Sequence, residues 1–238
     1  MINQRIMTDA RLRGISRLCH FTKAVNLPHI LEAGELRSTK QLQGSTEGFR
    51  SSDTQRLDGR QDRICCSVEY PNTWYLDRAQ RSDPNFCDWL ILTLDPDPLW
   101  STDTVYCPHN AARAYGAGIT NGYDGYASMF AHEVQGQQTY RRSDDALYPP
   151  YLPTDQQAEV LVANPVPLQQ IQAVIVPSRE QAATEVARLR LVSRRAKELS
   201  FSVSPDMFDK YKLSGLLKRG IRPKENPVDA TRGAGRAE

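Results

Sequence analysis

Short apolar runs separated by polar segments recur along the chain, and their length predicts β-strands. Residues 63–70 (RICCSVEY) and 88–94 (DWLILTL) are clear examples, and proline or other turn-forming residues lie close to both. Apolar runs of this length, bounded by turn residues, are typical of strands that are buried on at least one face. About seven short strands are expected on this basis, including further ones at 18–22, 105–107 and 173–176.

Helices are predicted at fewer positions. At 26–34, Asn26 suits the N-cap, Pro28 the first turn and Gly34 the position after the last turn. Residues 179–199 predict an amphipathic helix because apolar side chains recur there at near-helical spacing, at Ala183, Val186, Leu189 and Leu191. Short strands and helices without regular β-α alternation indicate an α+β fold with a mainly antiparallel sheet.

A carboxylate stands at the start of one apolar run. Gln157, Ala158 and Glu159 follow a proline-rich segment and lead directly into Val160, Leu161 and Val162. Strands disfavour glutamate, and an unpaired buried carboxylate is costly. Because strand side chains alternate, Gln157 and Glu159 are expected to project together on the face opposite Ala158. They either face a functional cleft or are two solvated residues at a sheet edge.

Two further polar positions have both a functional and a structural interpretation. Arg56 lies near the end of the long polar segment 36–62, where it either binds a phosphate or carboxylate or pairs with Asp53 or Asp58. His20 ends a short β-prone run directly before the predicted helix at 26–34. It is either a core histidine or a ligand contact.

Composition narrows the class of protein. The chain has 238 residues, of which 39% are hydrophobic and 24% charged, as in ordinary globular proteins. Five cysteines without CxxC spacing indicate reduced thiols and no metal site, with Cys107 and His109 as a loose pairing only. No apolar run is as long as a membrane span, and the first residues lack a signal peptide's apolar core. We therefore expect a soluble, intracellular protein.

Charge is distributed unevenly. Residues 179–238 contain 14 Lys and Arg against 8 Asp and Glu, whereas the preceding 178 residues contain 16 against 20. This balance suits a polyanionic partner such as a nucleic acid, although a solvated helix and tail explain it equally well. The glycine-rich segment 116–125 matches neither a P-loop nor a dinucleotide-binding fingerprint.

Three segments of the chain form a recognisable set, namely CHFT followed by NLPHILEAGEL, then RLDG followed by ICCSVEYPNTWYL, and finally TDQQAEVLV. Together they resemble the DarT family, the DNA ADP-ribosyltransferase toxins of DarT–DarG toxin–antitoxin pairs. The resemblance covers residues 15–195 approximately and implies a split, mainly antiparallel β-sheet with NAD bound between its halves. It implies an ADP-ribosyltransferase domain at 1–204 and a basic, partly disordered segment at 205–238. The run EYPNTWYL departs from the better-known branch of the family, which leaves the acceptor base open.

The resemblance also implies roles for individual residues. Glu159 and Arg56 are expected to be catalytic, and His20, Phe21, Thr22 and Arg56 to bind NAD as co-substrate without a metal. The residues expected to bind the acceptor are Gln157, Tyr148, Tyr151, Arg141 and Arg142. The implied partners are single-stranded DNA and a macrodomain antitoxin of the DarG type, and the protein is expected to be a monomer in the bacterial cytoplasm, with no membrane partner.

The chemistry of this reaction agrees with a single catalytic carboxylate. Cleavage of the nicotinamide–ribose bond passes through an oxocarbenium-like transition state, which a carboxylate stabilises. The leaving group is already cationic, so no general acid is needed. A base must leave the duplex to react, which favours single-stranded DNA. RNA, protein or water as acceptor, and a nucleic-acid-binding module without enzymatic activity, are the alternatives.

Overall fold

The computed structural model describes residues 1–43, 48–51, 55–143, 148–163 and 165–228. The α-helices in these ranges are α1 (Gln4–Arg13), α2 (Leu27–Ala33), α3 (Thr39–Gln43), α4 (Thr73–Ser82), α5 (Gly122–Ser128), α6 (Arg179–Val192) and α7 (Lys210–Lys218). The strands are β1 (Leu18–Lys23), β2 (Glu35–Leu36), β3 (Ile64–Val68), β4 (Trp89–Leu94), β5 (Val105–Cys107), β6 (Thr120–Asn121), β7 (Glu133–Gln135), β8 (Thr139–Arg141), β9 (Glu159–Val162), β10 (Val166–Pro167), β11 (Ile171–Val176), β12 (Phe201–Val203) and β13 (Asn226–Val228).

One nine-stranded sheet organises the fold, in the order β13-β12-β11-β4-β1-β3-β9-β5-β6. Its neighbouring strands are antiparallel except for β11 and β12. β1 pairs with β4 along its whole length, from Leu18 to Lys23. It pairs with β3 only at Leu18 and Cys19, so the sheet opens between β1 and β3 beyond these residues. The predicted α+β fold with a split, mainly antiparallel sheet is confirmed.

Strand β4 explains why the sheet is stable around this opening. All six of its residues are buried. Leu90 and Leu92 contribute to one apolar cluster, which α1, α2 and α6 also enter, whereas Trp89 and Ile91 contribute to a second cluster with α4 and α7. A strand covered on both faces is a continuous apolar run rather than an alternating one, as the sequence of β4 shows.

Two features of the helices differ from the sequence-based expectations. Helix α2 ends as predicted, with Gly34 in the left-handed conformation at φ 72°. Asn26 makes no N-cap hydrogen bond there, because its amide donates to Thr22 Oγ1 at 2.9 Å and its Oδ1 accepts from the Arg50 backbone. Helix α3 lies within the long polar segment 36–62, and α4 was not among the predicted helices. α4 begins at Asn72, whose side chain accepts a hydrogen bond from the Tyr75 backbone N–H at 3.0 Å.

The buried face of α6 is only partly the predicted one, because Leu189 is buried and Val186 packs against the core, but Ala183 and Leu191 are exposed. Ala182, Glu185 and Leu189 are buried, whereas Leu191, which was expected on the buried face, is 87% exposed. Glu185 is tolerated inside because Arg188 pairs with it and also donates to the Ala24 carbonyl at 2.6 Å. A pattern of apolar positions cannot reveal a face that contains a paired charge.

The C-terminal part of the described chain packs on the same sheet. β13 pairs with β12, and Glu225 just before it accepts two hydrogen bonds from the Arg17 guanidinium, at 2.6 and 2.9 Å. The division into a domain at 1–204 and a segment at 205–238 stays a prediction, and residues 229–238, where the predicted disorder falls, lie outside the described residues. Within the described ranges, no helix is long and apolar enough to cross a membrane.

Candidate active site

Glu159 begins β9, at the point where the sheet opens. β9 lies between β3 and β5, with Val160 opposite Cys66 and Glu159 opposite Cys107. The Glu159 side chain is half-buried, and its Oε1 accepts a hydrogen bond from the Ala111 backbone N–H at 3.1 Å. A backbone donor cannot leave its position, so this bond holds the carboxylate in one orientation.

Burial raises the pKa of the Glu159 carboxyl to about 7. The hydrogen bond from Ala111 opposes this shift, the negative charge of Asp58 adds to it, and Arg56 and the Cys65 thiol oppose it. Groups whose pKa is moved towards neutrality by burial and by a like charge in a cleft are typical of functional sites.

Arg56 and Asp58 lie on the wall beside Glu159. The guanidinium binds the Asp58 carboxylate at two points, Nε to Oδ1 at 3.0 Å and Nη2 to Oδ2 at 2.9 Å. Arg56 Nη1 also donates to the Arg63 carbonyl at 3.2 Å. Arg56 has a positive φ of 41°, an uncommon backbone conformation for a residue other than glycine. Of the two pairing partners considered from the sequence, Asp58 is the one observed, and Asp53 lies outside the described residues.

An open cleft of about 1200 Å³, including solvent at its mouth, joins these groups to β1. A concave site of this kind, lined by apolar side chains and a few polar groups, is typical of small-molecule binding. Its lining includes the five residues predicted to be catalytic or to bind NAD, namely Glu159, Arg56, His20, Phe21 and Thr22. The structure therefore brings together residues that are far apart in the sequence.

His20 is held in one tautomer across the opening of the sheet. Its Nδ1 lies 2.8 Å from the Cys65 carbonyl oxygen, and burial lowers the pKa of the ring, so it is neutral at pH 7. A neutral ring that donates through Nδ1 has Nε2 as a hydrogen-bond acceptor. This geometry allows His20 both to bridge β1 and β3 and to accept a hydrogen bond from a ligand hydroxyl.

Phe21 and Thr22 shape the same end of the cleft. The Phe21 ring lies 5.8 Å from the ring of Tyr75, which also lines the cleft, and 6.0 Å from the ring of Trp89. Thr22 is buried and its Oγ1 accepts from Asn26, so the start of α2 is tied to β1.

The five residues predicted to bind the acceptor do not line this cleft. Gln157 is not on β9, because the strand begins at Glu159 and Gln157 lies in the preceding turn. Its backbone N–H donates to Asp155 Oδ1 at 2.9 Å. The expectation that Gln157 and Glu159 project from one strand is therefore wrong, because an Asp-based turn replaces the extended chain at that point.

The other four residues predicted to bind the acceptor are tied to neighbouring parts of the chain. The Arg142 guanidinium donates to the Leu152, Pro149 and Pro150 carbonyls, and the Tyr148 hydroxyl donates to the Pro153 carbonyl at 2.7 Å. The Arg222 guanidinium lies 4.8 Å from the centre of the Tyr151 ring, and Arg141 is an exposed partner of Glu133 on the hairpin of β7 and β8.

Asp155 is a buried carboxylate that sequence reasoning did not single out. Burial raises its pKa to about 6, and among the described residues its Oδ2 has no hydrogen-bond partner. Gly136 faces this oxygen, since a Cβ there would lie 2.4 Å from Asp155 Oδ2. The backbone N–H of Ala111 was also missed, and a main-chain donor leaves no signal in the sequence. Nothing in the sequence distinguished Asp155 from an ordinary turn aspartate.

The described chain groups no side chains as a metal site, and Cys107 is not a reactive thiol. No three His, Cys, Asp or Glu side chains of the described ranges are grouped to hold a metal ion. Cys107 Sγ lies 3.5 Å from His109 Nδ1, and burial raises the pKa of the Cys107 thiol to about 12. A thiol with such a pKa is a poor nucleophile at neutral pH.

A comparison with models of protein families identifies the family of the chain. Residues 19–209 match the family model described as "ssDNA thymidine ADP-ribosyltransferase, DarT". The chain belongs to the DarT family. The match confirms the family predicted from the sequence and its activity, ADP-ribosyl transfer to single-stranded DNA, and the family description adds thymidine as the acceptor. A comparison with curated proteins found no match.

Solved DarT structures share the fold. Thermus sp. 2.9 DarT in complex with NAD+ aligns with a TM-score of 0.54 and 17% identity over 82% of this chain and 98% of that one. The same protein in complex with ADP-ribosylated ssDNA gives 0.54 and 16% over 82% and 97%. Its complex with carba-NAD+ gives 0.52 and 15% over 82% and 98%. At these identities, the similarity establishes the fold.

Proposed function

We propose that this DarT-family protein transfers ADP-ribose from NAD to a thymine base of single-stranded DNA, with Glu159 as the catalytic residue. The observation that carries the assignment is the half-buried Glu159 carboxylate in an open cleft, oriented by the Ala111 N–H. The Thermus relative, which has the same fold, is described in complex with NAD+ and with ADP-ribosylated ssDNA. Both ligands are consistent with the proposed reaction.

The reaction breaks one bond to the ribose and forms another. The C1″–N bond of nicotinamide breaks, and its electron pair leaves with the ring, which thereby loses its positive charge. Positive charge develops on the ribose, where the Glu159 carboxylate stabilises it and accepts a hydrogen bond from a ribose hydroxyl. The thymine ring nitrogen then bonds to C1″, and its proton passes to solvent.

The cleft residues are assigned to NAD. His20 offers Nε2 to a hydroxyl of NAD, and Phe21 and Thr22 form the apolar and polar walls beside it. Arg56 contacts NAD from the opposite wall and, together with Asp58, sets the charge around Glu159. This assignment is supported by their common position in the cleft and by the opposing effects of Arg56 and Asp58 on the Glu159 pKa.

Binding of the acceptor DNA is assigned to the turn before β9 and to the hairpin of β7 and β8. Arg141 is exposed and suited to a phosphate. Gln157, Tyr148 and Tyr151 lie in or near the turn before β9, where an unpaired base has to approach C1″. Arg142 supports them by binding the carbonyls of the proline-rich segment. A base within a duplex cannot reach such a site, so single-stranded DNA is the substrate.

The direct test is modification of oligonucleotides. The protein is incubated with NAD and single-stranded oligonucleotides with and without thymidine, and the DNA is examined by mass spectrometry. Wild type adds one ADP-ribose to thymidine-containing strands only. Glu159→Gln lowers the rate by about 100-fold or more, whereas Glu180→Gln, which changes an exposed glutamate on α6, matches wild type. Equal rates for wild type and Glu159→Gln would reject the assignment.

Two further properties follow from family membership. We propose that a macrodomain antitoxin of the DarG type removes the ADP-ribose, and that the toxin acts as a monomer in the bacterial cytoplasm, without a membrane partner. Co-expression with the product of a neighbouring macrodomain gene is expected to restore growth and unmodified DNA. Sedimentation of the purified protein tests the monomer, and a dimer at micromolar concentration would contradict it.

A further inference from the structure

Two aromatic side chains meet at the surface where α4 packs beside α7. The rings of Trp74 and Tyr211 lie edge to face with their centroids 5.6 Å apart. Trp74 is 37% exposed and Tyr211 is 70% exposed. Aromatic side chains supply much of the energy of binding interfaces, so an exposed pair in mutual contact points to a partner. We call Trp74 and Tyr211 the aromatic platform.

The platform is held rigidly. Lys210 Nζ lies 5.2 Å from the Trp74 ring centroid and 5.1 Å from that of Tyr211, and it is fixed by Asp77 Oδ2 at 2.7 Å. Trp74 Nε1 donates to Ser214 Oγ at 3.2 Å. A surface whose side chains are already ordered loses little conformational entropy when it binds a partner.

The platform is directly connected to the catalytic turn. Ser214 Oγ, which accepts from Trp74, donates to Gln156 Oε1 at 2.5 Å. Gln156 precedes Glu159 by three residues, so their Cα atoms lie within about 11 Å of each other. Tyr75, the next residue of α4, lines the cleft. A polymer that is bound at Glu159 can therefore continue onto the platform.

The charged side chains of α4 and α7 indicate what kind of polymer the platform binds. Helices α4 and α7 carry one carboxylate, Asp77, and five cations, Arg78, Arg81, Lys210, Lys212 and Lys218. Aromatic rings among cations are what proteins use to bind single-stranded nucleic acid, since bases stack on the rings and phosphates pair with the cations. α7 lies beyond residues 19–209, which match the family model. Of the two platform residues, Trp74 lies within the matched region, and Tyr211 adds a contact from outside it.

We propose that the aromatic platform stacks an unpaired base that flanks the nucleotide modified at Glu159, which extends the single-stranded DNA site onto α7. This inference rests on the proposed function. It makes the enzyme sensitive to oligonucleotide length, because a strand must be long enough to reach the platform as well as the cleft.

The test compares KM for a thymidine-containing trinucleotide with KM for a strand of about 15 nucleotides, the upper range of single-strand site sizes. Tyr211→Ala is expected to raise KM for the long strand about tenfold, towards that of the trinucleotide, because one base stack is lost. Tyr211→Phe keeps the ring and restores the low KM. Leu191→Ala removes a similarly exposed apolar side chain from α6 and keeps the wild-type KM.

The outcomes separate the two proposals. If Tyr211→Ala has the wild-type KM for the long strand, the platform does not bind DNA and the inference is overturned. A platform that binds a protein instead of DNA would give this same result. If wild type modifies no oligonucleotide of either length, the proposed function fails, and this inference fails with it. Circular dichroism of Tyr211→Ala confirms that the comparison is made on a folded protein.

Discussion

Arg56 and Asp58 form a two-point ion pair in the wall of the cleft, with Nε 3.0 Å from Oδ1 and Nη2 2.9 Å from Oδ2. Both residues are less than 9% exposed. The pair places a positive and a negative charge beside Glu159, and the two charges move the Glu159 pKa in opposite directions. It therefore affects both the stability of the fold and the ionisation of Glu159.

Asp58→Asn is expected to destabilise the protein by about 3–5 kcal/mol, because it removes the charge that balances a buried guanidinium. The free energy of unfolding, measured with urea, gives the loss. The matched control is Glu133→Gln, which breaks the exposed pair with Arg141. Exposed pairs contribute about 0–1 kcal/mol. Similar losses in the two variants would show that the buried pair has no special role.

Activity is expected to rise with pH across neutrality. Glu159 has a pKa of about 7 and must be ionised to stabilise positive charge on the ribose. kcat/KM for NAD should therefore fall about tenfold for each pH unit below 7 and level off above it. Burial lowers the pKa of His20 below its ordinary value, so protonation of that ring is not the cause of a change at pH 7 and above. Equal kcat/KM values at pH 5.5 and 8 would contradict the role of Glu159.

Glu159→Gln is expected to stabilise the fold at high pH while it abolishes activity. The folded pKa of about 7 lies above the ordinary value of 4.5. Below pH 4.5 the carboxyl is protonated in both the folded and the unfolded chain, and as pH rises to 7 the unfolded chain ionises first, so stability is lost. At pH 8, Glu159→Gln should gain roughly 2–3 kcal/mol, with almost no gain at pH 4.5.

Urea unfolding at both pH values measures the gain of Glu159→Gln. Glutamine keeps an oxygen to accept the Ala111 N–H, so packing changes little. Glu180→Gln makes the same substitution at an exposed position of α6 and serves as the control for the exchange itself. A gain that is the same at both pH values would have to come from packing rather than from the buried charge.

Gly136→Ala is expected to destabilise the hairpin of β7 and β8 by about 1–3 kcal/mol, the usual cost of overpacking. The new Cβ would lie 2.4 Å from Asp155 Oδ2 and 2.8 Å from the Tyr140 ring. Gly215→Ala is the control, because a Cβ there meets nothing within 4 Å and lies inside α7. It should gain about 0.5–1 kcal/mol. Thermal unfolding of both variants distinguishes the sites, and a stabilised Gly136→Ala would contradict the close approach.

The sequence was sufficient for the longer strands of the central sheet and for the position of Glu159 at the start of a strand. β4 is a continuous apolar run and Glu159 is a carboxylate at the start of another, and both signals are local in the sequence. The opening between β1 and β3 is different, because it depends on where the pairing of Leu18 and Cys19 stops. No local pattern encodes a lost strand pairing, and only the resemblance to a split-sheet family suggested it.

The errors have physical causes that act at a distance or without a side chain. Gln157 was assigned to a strand because the alternating pattern of β9 was extended backwards into the preceding turn. In that turn the Gln157 backbone N–H donates to Asp155. Helix α4 was missed because its apolar positions are few, although Asn72 provides an N-cap signal. The partner of Arg56 could not be chosen between Asp53 and Asp58, because both lie within three residues of it in the sequence.

The hydrogen bond between Ser214 and Gln156 makes the order of protein synthesis relevant to this enzyme. β1, β3 and β9 leave the ribosome before α7, so a nascent chain contains Glu159 before it contains the helix that holds the preceding turn. At about 5–20 residues per second, the interval amounts to a few seconds. During that time β9 has been synthesised but α7, which holds the turn before it, has not. The site around Glu159 is therefore incomplete when it first leaves the ribosome.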